Sequence, residues 1–66
     1  MERQPRHDDD MLTRVQLAEA LNISSRTIDR WIREGTGPPY VRLSRGTLRW
    51  RWGDVREWLR EHRVDG

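Results

Sequence analysis

The spacing of apolar residues predicts that the first regular element of the chain is an amphipathic helix. Thr13 and Gln16 match a capping box, so we expect the helix to begin at about Arg14. Apolar residues then recur at helical intervals as far as Leu21, and Asn22 supplies a stop. The residues that share one side of this helix, and that we expect to be buried, are Val15, Leu17, Ala18 and Leu21.

A second helix is predicted after a turn of two or three residues. Ser24 is placed to cap this helix, and the helical pattern continues from about Ser25 to Glu34. Gly35 and the Gly-Pro-Pro run that follows it cannot continue a helix. Two helices joined by so short a turn form a helix-turn-helix candidate, in which the second helix would enter the major groove of DNA.

The second helix has two faces of different chemistry. Its apolar face carries Ile28, Trp31 and Ile32, whereas its polar face carries Arg26, Asp29, Arg30 and Arg33. We expect Asp29 to orient an arginine of the same face by pairing with Arg26 or Arg33. A charged helix face is also typical of a merely solvated surface, so its interpretation depends on the rest of the chain.

Beyond the prolines the apolar period changes from helical to two, which predicts a hairpin. Residues 40–43 and 48–52 alternate apolar residues with arginine, and we expect the segment 44–47 between them to be a loop. The apolar face of this hairpin would consist of Val41, Leu43, Leu48, Trp50 and Trp52.

A final helix is expected to cover the apolar face of the hairpin, because an isolated hairpin has only marginal stability. Asp54 and Glu57 are spaced as a second capping-box pair for this helix. Its inner side would carry Val55, Trp58, Leu59 and His62.

The order helix, helix, strand, strand, helix predicts an α+β domain, mainly α, with the architecture of a winged helix-turn-helix. We expect this domain to span residues 11–63. Residues 1–10 are polar and lack periodicity, so we expect a disordered acidic arm in which Asp8, Asp9 and Asp10 are solvated. Residues 64–66 are expected to be a frayed C-terminus.

Composition narrows the possible classes of protein. The chain has 66 residues, thirteen basic residues that are all arginine, and a formal net charge of +2. Four acidic residues lie in the first ten positions, so the remainder is more basic than that value suggests. The chain has no cysteine, which excludes disulfides and Cys-based zinc sites, and no apolar run of the roughly 18 residues that a membrane helix needs. We expect a soluble, cytoplasmic protein.

The candidate chemistry is recognition of double-stranded DNA by two arginine-bearing surfaces. Hydroxyls and arginines of the second helix suit phosphates and base edges in the major groove. The hairpin tip, an arginine beside a glycine, suits the narrow minor groove. The residues that we expect to contact DNA are Ser24, Ser25, Arg26, Thr27, Arg30, Arg33, Arg42, Arg45, Gly46 and Arg49, with Arg51 a further candidate for phosphate contact.

Other classes of function fit less of the pattern. The four tryptophans also suit stacking on single-stranded nucleic acid, but their place in apolar periods favours core packing. The arginine face also suits docking of an acidic protein partner. Most of the chain separates His7 from His62, and no arrangement of Ser, His and carboxylate suits nucleophilic catalysis. We therefore expect no enzyme activity, cofactor, metal site or small-molecule ligand.

The order in which the motifs occur carries more information than any one of them. They are Leu12-Thr13, Leu17-Ala18, Leu21 to Ser24, Arg26 to Ile28, Trp31-Ile32, Gly35, Pro38-Pro39, Leu43 to Trp50, Asp54-Val55 and Trp58-Leu59. This succession resembles the excisionase group of MerR-like winged-helix proteins over about residues 11–62. Within that group, the chain is most similar to small excisionases of actinobacterial phages and mobile elements.

The resemblance implies that the second helix is the recognition helix and that the hairpin is the wing. Ser25, Arg26, Thr27 and Arg30 would face the major groove, and Arg45 would approach the minor groove. The resemblance also implies a recombination directionality factor, which bends attachment-site DNA and directs a phage integrase towards excision. Several copies would bind cooperatively along the DNA.

One alternative within the same binding class remains open, namely a small transcriptional regulator of a phage or mobile element that uses the same surface. The chain ends after the third predicted helix, without the long dimerisation helix and effector domain of full MerR-type regulators. We therefore do not expect it to sense metals or drugs.

Overall fold

The structure is a computed structural model that describes residues 6–64. Within these residues the elements are β1 (Met11–Leu12), α1 (Arg14–Leu21), α2 (Ser25–Glu34), β2 (Val41–Ser44), β3 (Thr47–Arg51) and α3 (Trp52–Glu61). The strands form an antiparallel sheet in the order β1-β3-β2. The fold is a winged helix-turn-helix, and the predicted order of its helices and hairpin is confirmed. The short strand β1 was not predicted.

Side chains within a few residues of each end set the bounds of α1. The Gln16 backbone N–H donates to Thr13 Oγ1 at 3.1 Å, and the Thr13 N–H donates to Gln16 Oε1 at 2.9 Å. These reciprocal bonds satisfy two donors at the start of the helix. Asn22 then adopts the left-handed conformation (φ 58°) and ends α1. The predicted bounds of this helix are confirmed.

The same kind of local chemistry sets the bounds of α2. The Thr27 N–H donates to Ser24 Oγ at 3.4 Å, and Gly35 ends the helix with a φ of 73°. The predicted range is confirmed. Ile28 is fully buried, and Trp31 and Ile32 pack against the core, as their common helix face predicts.

The core lies between the two helices of the helix-turn-helix, β3 and α3. Its buried residues are Leu12, Leu17, Ala18, Ile28, Leu48, Trp50 and Val55. Trp50 is 1% exposed, whereas the other three tryptophans are half-buried. Trp31 packs on Trp58 with the ring centroids 5.3 Å apart. The tryptophans therefore contribute to packing, but only one lies wholly inside.

Three residues assigned to buried helix faces are in fact exposed. Val15 is 60% exposed, because it borders a shallow depression between α1 and the hairpin instead of the core. Leu59 is 40% exposed. His62 is also exposed, and it packs on Trp58 at the end of α3, where its Nδ1 lies 2.9 Å from the Trp58 carbonyl oxygen.

The register of the hairpin corrects the predicted apolar face. Val41 lies opposite Arg49, and Arg42 lies opposite Leu48. Directly opposed residues of an antiparallel pair point to the same face, so Val41 lies on the arginine side. A bulge between Arg42 and Ser44 breaks the alternation, and Val41 and Leu43 are exposed.

The hairpin loop is also shorter than predicted. Ser44 pairs with Thr47, so the loop consists only of Arg45 and Gly46. Gly46 has a φ of +79°, a conformation that L side chains rarely adopt. An arginine and a glycine therefore form the tip of the wing.

The start of α3 differs from the sequence interpretation. The helix begins at Trp52, which was expected to end a strand, and its N-cap Arg51 makes no side-chain capping bond. The Trp52 N–H donates to the Asp10 carbonyl oxygen, and the Gly53 N–H donates to the Asp8 carbonyl oxygen, both at 2.9 Å. The predicted capping role of Asp54 is wrong, because backbone carbonyls distant in sequence satisfy the N–H groups at the start of this helix.

These carbonyls belong to the segment 8–10, which we call the acidic clasp (Asp8, Asp9 and Asp10). The prediction of disorder is wrong for residues 6–10, because the clasp binds α3 and leads directly into β1, whereas the predicted exposure of its three aspartates to solvent is confirmed. Arg56 Nη1 lies 2.7 Å from Asp8 Oδ1, and the Arg6 guanidinium lies 5.7 Å from the ring centroid of Trp52. The remainder of the predicted arm, residues 1–5, lies outside the described residues, as do residues 65–66 of the predicted frayed end.

Candidate nucleic-acid interface

The polar face of α2 presents three free guanidinium groups. Arg26, Arg30 and Arg33 are exposed, and within residues 6–64 their side chains make no hydrogen bond or ion pair. The buried face of Ile28 fixes the orientation of the helix, so these arginines project away from the core. A guanidinium with no protein partner keeps all its donors available for phosphate oxygens or guanine edges.

The start of α2 carries the hydroxyl residues that are predicted to contact DNA. Ser25 is exposed, whereas Thr27 is half-buried. Ser24 Oγ accepts the Thr27 N–H and lies 3.4 Å from Thr27 Oγ1. The Ser24 hydroxyl is therefore engaged in capping, and Ser25 is the hydroxyl at this end of the helix that is better placed for a ligand.

Asp29 does not pair with an arginine of its own helix, which corrects the prediction. Its Oδ1 lies 3.1 Å from Nε of Arg14, in the first turn of α1. The reason is tertiary: α1 and α2 pack together, and the side of α2 that carries Asp29 faces the start of α1. This pairing leaves Arg26 and Arg33 unneutralised.

The wing presents a second set of arginines. Arg42 and Arg45 are exposed, and within the described part of the chain their side chains have no hydrogen bond or ion pair. Arg49 is half-buried, and its Nη1 donates to the Leu48 carbonyl oxygen at 2.8 Å. This bond holds the Arg49 guanidinium against its own strand, so Arg45 beside Gly46 is the cation at the tip that has no protein partner.

A shallow depression joins the wing to the start of α1. We call it the α1–wing cleft, and it is lined by Thr13, Arg14, Val15, Gly46, Leu48 and Arg49. Arg14, which borders it, is the same residue that pairs with Asp29 of α2. The wing and the polar face of α2 are therefore linked through Arg14. Arg14 was not among the predicted DNA-binding residues, although its place in the first turn of a predicted helix-turn-helix was a usable signal.

Arg51, a candidate for phosphate contact, is occupied by acids of the protein. Its Nη2 lies 3.2 Å from Asp9 Oδ1, and its Nη1 lies 3.2 Å from Asp54 Oδ1. The hydrogen bond to Asp9, with the nearby charges of Asp54 and Asp9, raises the pKa of Arg51 above its usual range. Two carboxylates balance the charge of this guanidinium and compete with a DNA phosphate for it.

The outer side of α3 has the opposite electrostatic character. Asp54, Glu57 and Glu61 line a second depression together with Pro39 and Trp58. Carboxylates at this density repel a polyanion. The arginines of α2 and of the wing therefore remain the predicted contacts with nucleic acid.

Comparison with known proteins adds one finding to this geometry. A family model described as a helix-turn-helix domain matches residues 11–63. No curated protein and no solved structure matches the chain. Each helix in residues 6–64 is too short or too polar to span a membrane.

Proposed function

The chain belongs to the family of helix-turn-helix domains and is therefore a DNA-binding protein; we propose that it is an architectural factor, specifically a phage excisionase. In this role it binds specific sites in attachment DNA, bends the duplex and directs the integrase towards excision. The α2 helix reads the major groove, and the wing enters the minor groove.

One observation carries the proposal: arginines without a protein partner lie on α2 and at the wing tip, and Arg14 links the two elements, because it pairs with Asp29 of α2 and borders the same cleft as Gly46. Arg26, Arg30 and Arg33 project from α2, and Arg45 stands at the wing tip. A helix of ten residues is about 15 Å long, and its first turns suffice to follow the base edges of the major groove. A tip of arginine and glycine is slender enough for the minor groove, whose negative potential attracts arginine.

A domain of this size fits an architectural role, in which several copies bind together, better than it fits tight binding by a single copy. One such module buries on the order of 600–1,000 Å² of protein surface on DNA, so a single copy binds weakly. Several copies on adjacent sites supply affinity and accumulate a bend. Contacts in both grooves favour such bending, because a wing inserted in the minor groove distorts the duplex at that point.

The proposed role requires no catalysis. The residues that carry it act by charge, hydrogen bonding and shape, and the chemical steps of recombination belong to the integrase.

Roughly five phosphates neutralised per monomer would give a slope of about −4.5 for the logarithm of affinity against log salt.

An excision assay with the integrase of the same mobile element tests the role. Supercoiled DNA that carries the two attachment sites of the integrated element is incubated with integrase, with and without this protein. We expect excision only when the protein is present, together with footprints on repeated sites beside the attachment core. R30A should abolish the stimulation, whereas R60A, which removes the same charge from the exposed end of α3, should retain it.

Two outcomes would contradict the proposal in different ways. Footprints at a promoter, with no stimulation of integrase, would show a transcriptional regulator that uses the same surface. Equal activity of R30A and wild type would show that α2 does not mediate the effect.

A further inference from the structure

The α1–wing cleft has a composition that suits an anion. Two of its six lining residues are arginines from different elements, Arg14 of α1 and Arg49 of β3, and none of the six is acidic. The capping box already occupies the N–H of Gln16, so the positive character of the cleft comes from the two guanidinium groups. The cleft also borders Gly46, which places it beside the tip that approaches DNA.

Asp29 holds Arg14 in place but pairs with only part of its guanidinium group. Its Nε lies 3.1 Å from Asp29 Oδ1, and 43% of its side chain remains exposed. A guanidinium has five N–H donors in a rigid fork, and a single carboxylate at Nε leaves donors on Nη1 and Nη2 available. Asp29 therefore restrains the direction of Arg14 while the outer part of the fork stays accessible.

Arg49 is restrained from the other side of the cleft. Its Nη1 donates to the Leu48 carbonyl oxygen at 2.8 Å, so its guanidinium is kept near the strand instead of extending into solvent. Two pre-oriented guanidinium groups lose less conformational entropy on binding than two free ones. They suit the oxygens of one phosphate group, which accept charge-assisted hydrogen bonds from several directions.

We propose that the α1–wing cleft seats a backbone phosphate of the duplex between the contacts of α2 and those of the wing. Arg14 and Arg49 bind the phosphate, and Asp29 is a positioning residue that holds Arg14 towards it. The proposal rests on duplex binding by α2 and the wing and is independent of the excision role.

The sign of the Asp29 effect distinguishes positioning from simple electrostatics. An acid on a DNA-binding surface repels phosphate, so its removal raises affinity if it acts only through its charge. If Asp29 positions Arg14, its removal releases a long side chain with many rotamers and lowers affinity. Both residues are about half-exposed, so their substitution leaves the core intact.

Binding of a fluorescent random-sequence duplex over a series of salt concentrations tests the proposal, because phosphate contacts do not depend on sequence. We expect R14A to lower affinity about three- to tenfold and to reduce the salt slope by about 0.9, the value for one phosphate. R60A is the charge-matched control and should leave the slope unchanged.

The Asp29 variants complete a double-mutant cycle. D29A should lower affinity two- to threefold in the wild-type background and should not lower it in the R14A background, where nothing remains to be positioned. D29N keeps an oxygen acceptor for Arg14 and should bind more tightly than D29A. Thermal unfolding of each variant monitors the fold.

The outcomes separate this proposal from the function on which it rests. If wild type failed to bind any duplex, both would be overturned. If wild type bound and R30A lost affinity while R14A had the same salt slope as R60A, only the proposed phosphate contact in the α1–wing cleft would be wrong. Tighter binding by D29A than by wild type would overturn the positioning role.

Discussion

The arginines of α2 and the arginines beside α3 have the same side chain but opposite surroundings. On α2, Arg26 and Arg30 have no partner within residues 6–64. Beside α3, Arg51 contacts Asp9 and Asp54, and Arg56 contacts Asp8. Arginine content by itself therefore does not define a DNA surface. The acids that fold back on some arginines decide which of the remaining ones can bind phosphate.

The acidic clasp also gives α3 the caps that its own sequence lacks. The carbonyl oxygens of Asp8 and Asp10 accept the N–H groups of Gly53 and Trp52, and the carboxylates of Asp8 and Asp9 hold the nearby arginines. Each backbone hydrogen bond contributes roughly 0.5–1.5 kcal/mol. The segment thus has a structural role at the start of α3.

The largest expected effect comes from removing unpaired arginines. R26A/R30A should lower affinity for a specific duplex about 100-fold, because each base or phosphate contact contributes roughly 1–3 kcal/mol. The double variant R51A/R56A removes the same charge and should lower affinity less than about threefold, while reducing the melting temperature. Fluorescence anisotropy and thermal unfolding measure the two quantities. Equal losses of affinity would break the distinction between paired and unpaired arginines.

A smaller loss is expected at the wing tip. R45A should lower affinity about three- to tenfold and weaken any preference for narrow, A/T-rich minor grooves. G46A is the neighbouring comparison: an added Cβ has no atom within 4 Å, but the φ of +79° would impose strain of roughly 1–2 kcal/mol. We expect G46A to reduce stability more than affinity. A competition assay with A/T-rich and G/C-rich duplexes measures the change, and an unchanged preference in R45A would contradict insertion of this arginine into the minor groove.

The contact between the clasp and the start of α3 is tested by G53A, a change from glycine to alanine that stabilises most helices. Alanine at an interior helix position is favoured over glycine by roughly 0.5–1 kcal/mol. At Gly53, however, a Cβ would lie 3.1 Å from Asp8 Cβ and 3.2 Å from the Asp8 carbonyl oxygen. We expect G53A to displace the clasp and to lower stability by about 1 kcal/mol, or roughly 4–8 °C in melting temperature. A higher melting temperature would show that the clasp does not hold α3.

Neutralising the clasp should modestly raise DNA affinity and slightly lower the melting temperature. D8N/D9N keeps the backbone hydrogen bonds but removes two charges that compete with phosphate. We expect affinity for random-sequence DNA to rise about two- to threefold at low salt, with a small fall in melting temperature, because exposed ion pairs contribute little. D54N removes a single acid from the same arginine cluster and should act in the same direction. Weaker DNA binding by D8N/D9N would contradict competition by the clasp.

The smallest expected effect is on alkaline pH dependence. Asp9 raises the pKa of Arg51, and a raised pKa in the folded state gives stability that is present below the unfolded pKa and is lost only as pH rises through the folded value. Both values lie above the range in which the protein is handled. The difference in melting temperature between wild type and D9N should therefore stay constant from about pH 7 to about pH 10. A difference that shrank over this interval would show that another group titrates in the pair.

Much of the helix-turn-helix could be predicted from sequence because its determinants are local. Thr13 and Gln16 cap α1, and Ser24 and Gly35 bound α2, through hydrogen bonds that span only a few residues. The buried face of α2 also follows from the helical period alone. The predicted DNA-binding residues remain predictions, but the side of α2 that carries Arg30 did not require the tertiary structure.

Contacts between distant parts of the chain account for what the sequence pattern missed. A two-residue strand such as β1 has no periodicity to detect, and it forms because Leu12 pairs with Trp50. The face on which Val41 lies depends on its register with Arg49 and on a bulge, since a shift of one residue exchanges the two faces of a strand. Local pattern therefore predicted the hairpin and the buried residues Leu48 and Trp50 of β3, but not the orientation of β2.

The sequence by itself determined α1 and α2 with their caps, the order of the helices and the hairpin, and the arginine-bearing polar face of α2. Only the tertiary structure decided which charges are free. Asp29 pairs with Arg14 of another helix, and Asp9 reaches Arg51 across 42 positions of the chain. Ion pairs depend on distance in space, and the chain brings these groups together only when α1, α2, the hairpin and α3 pack on one core.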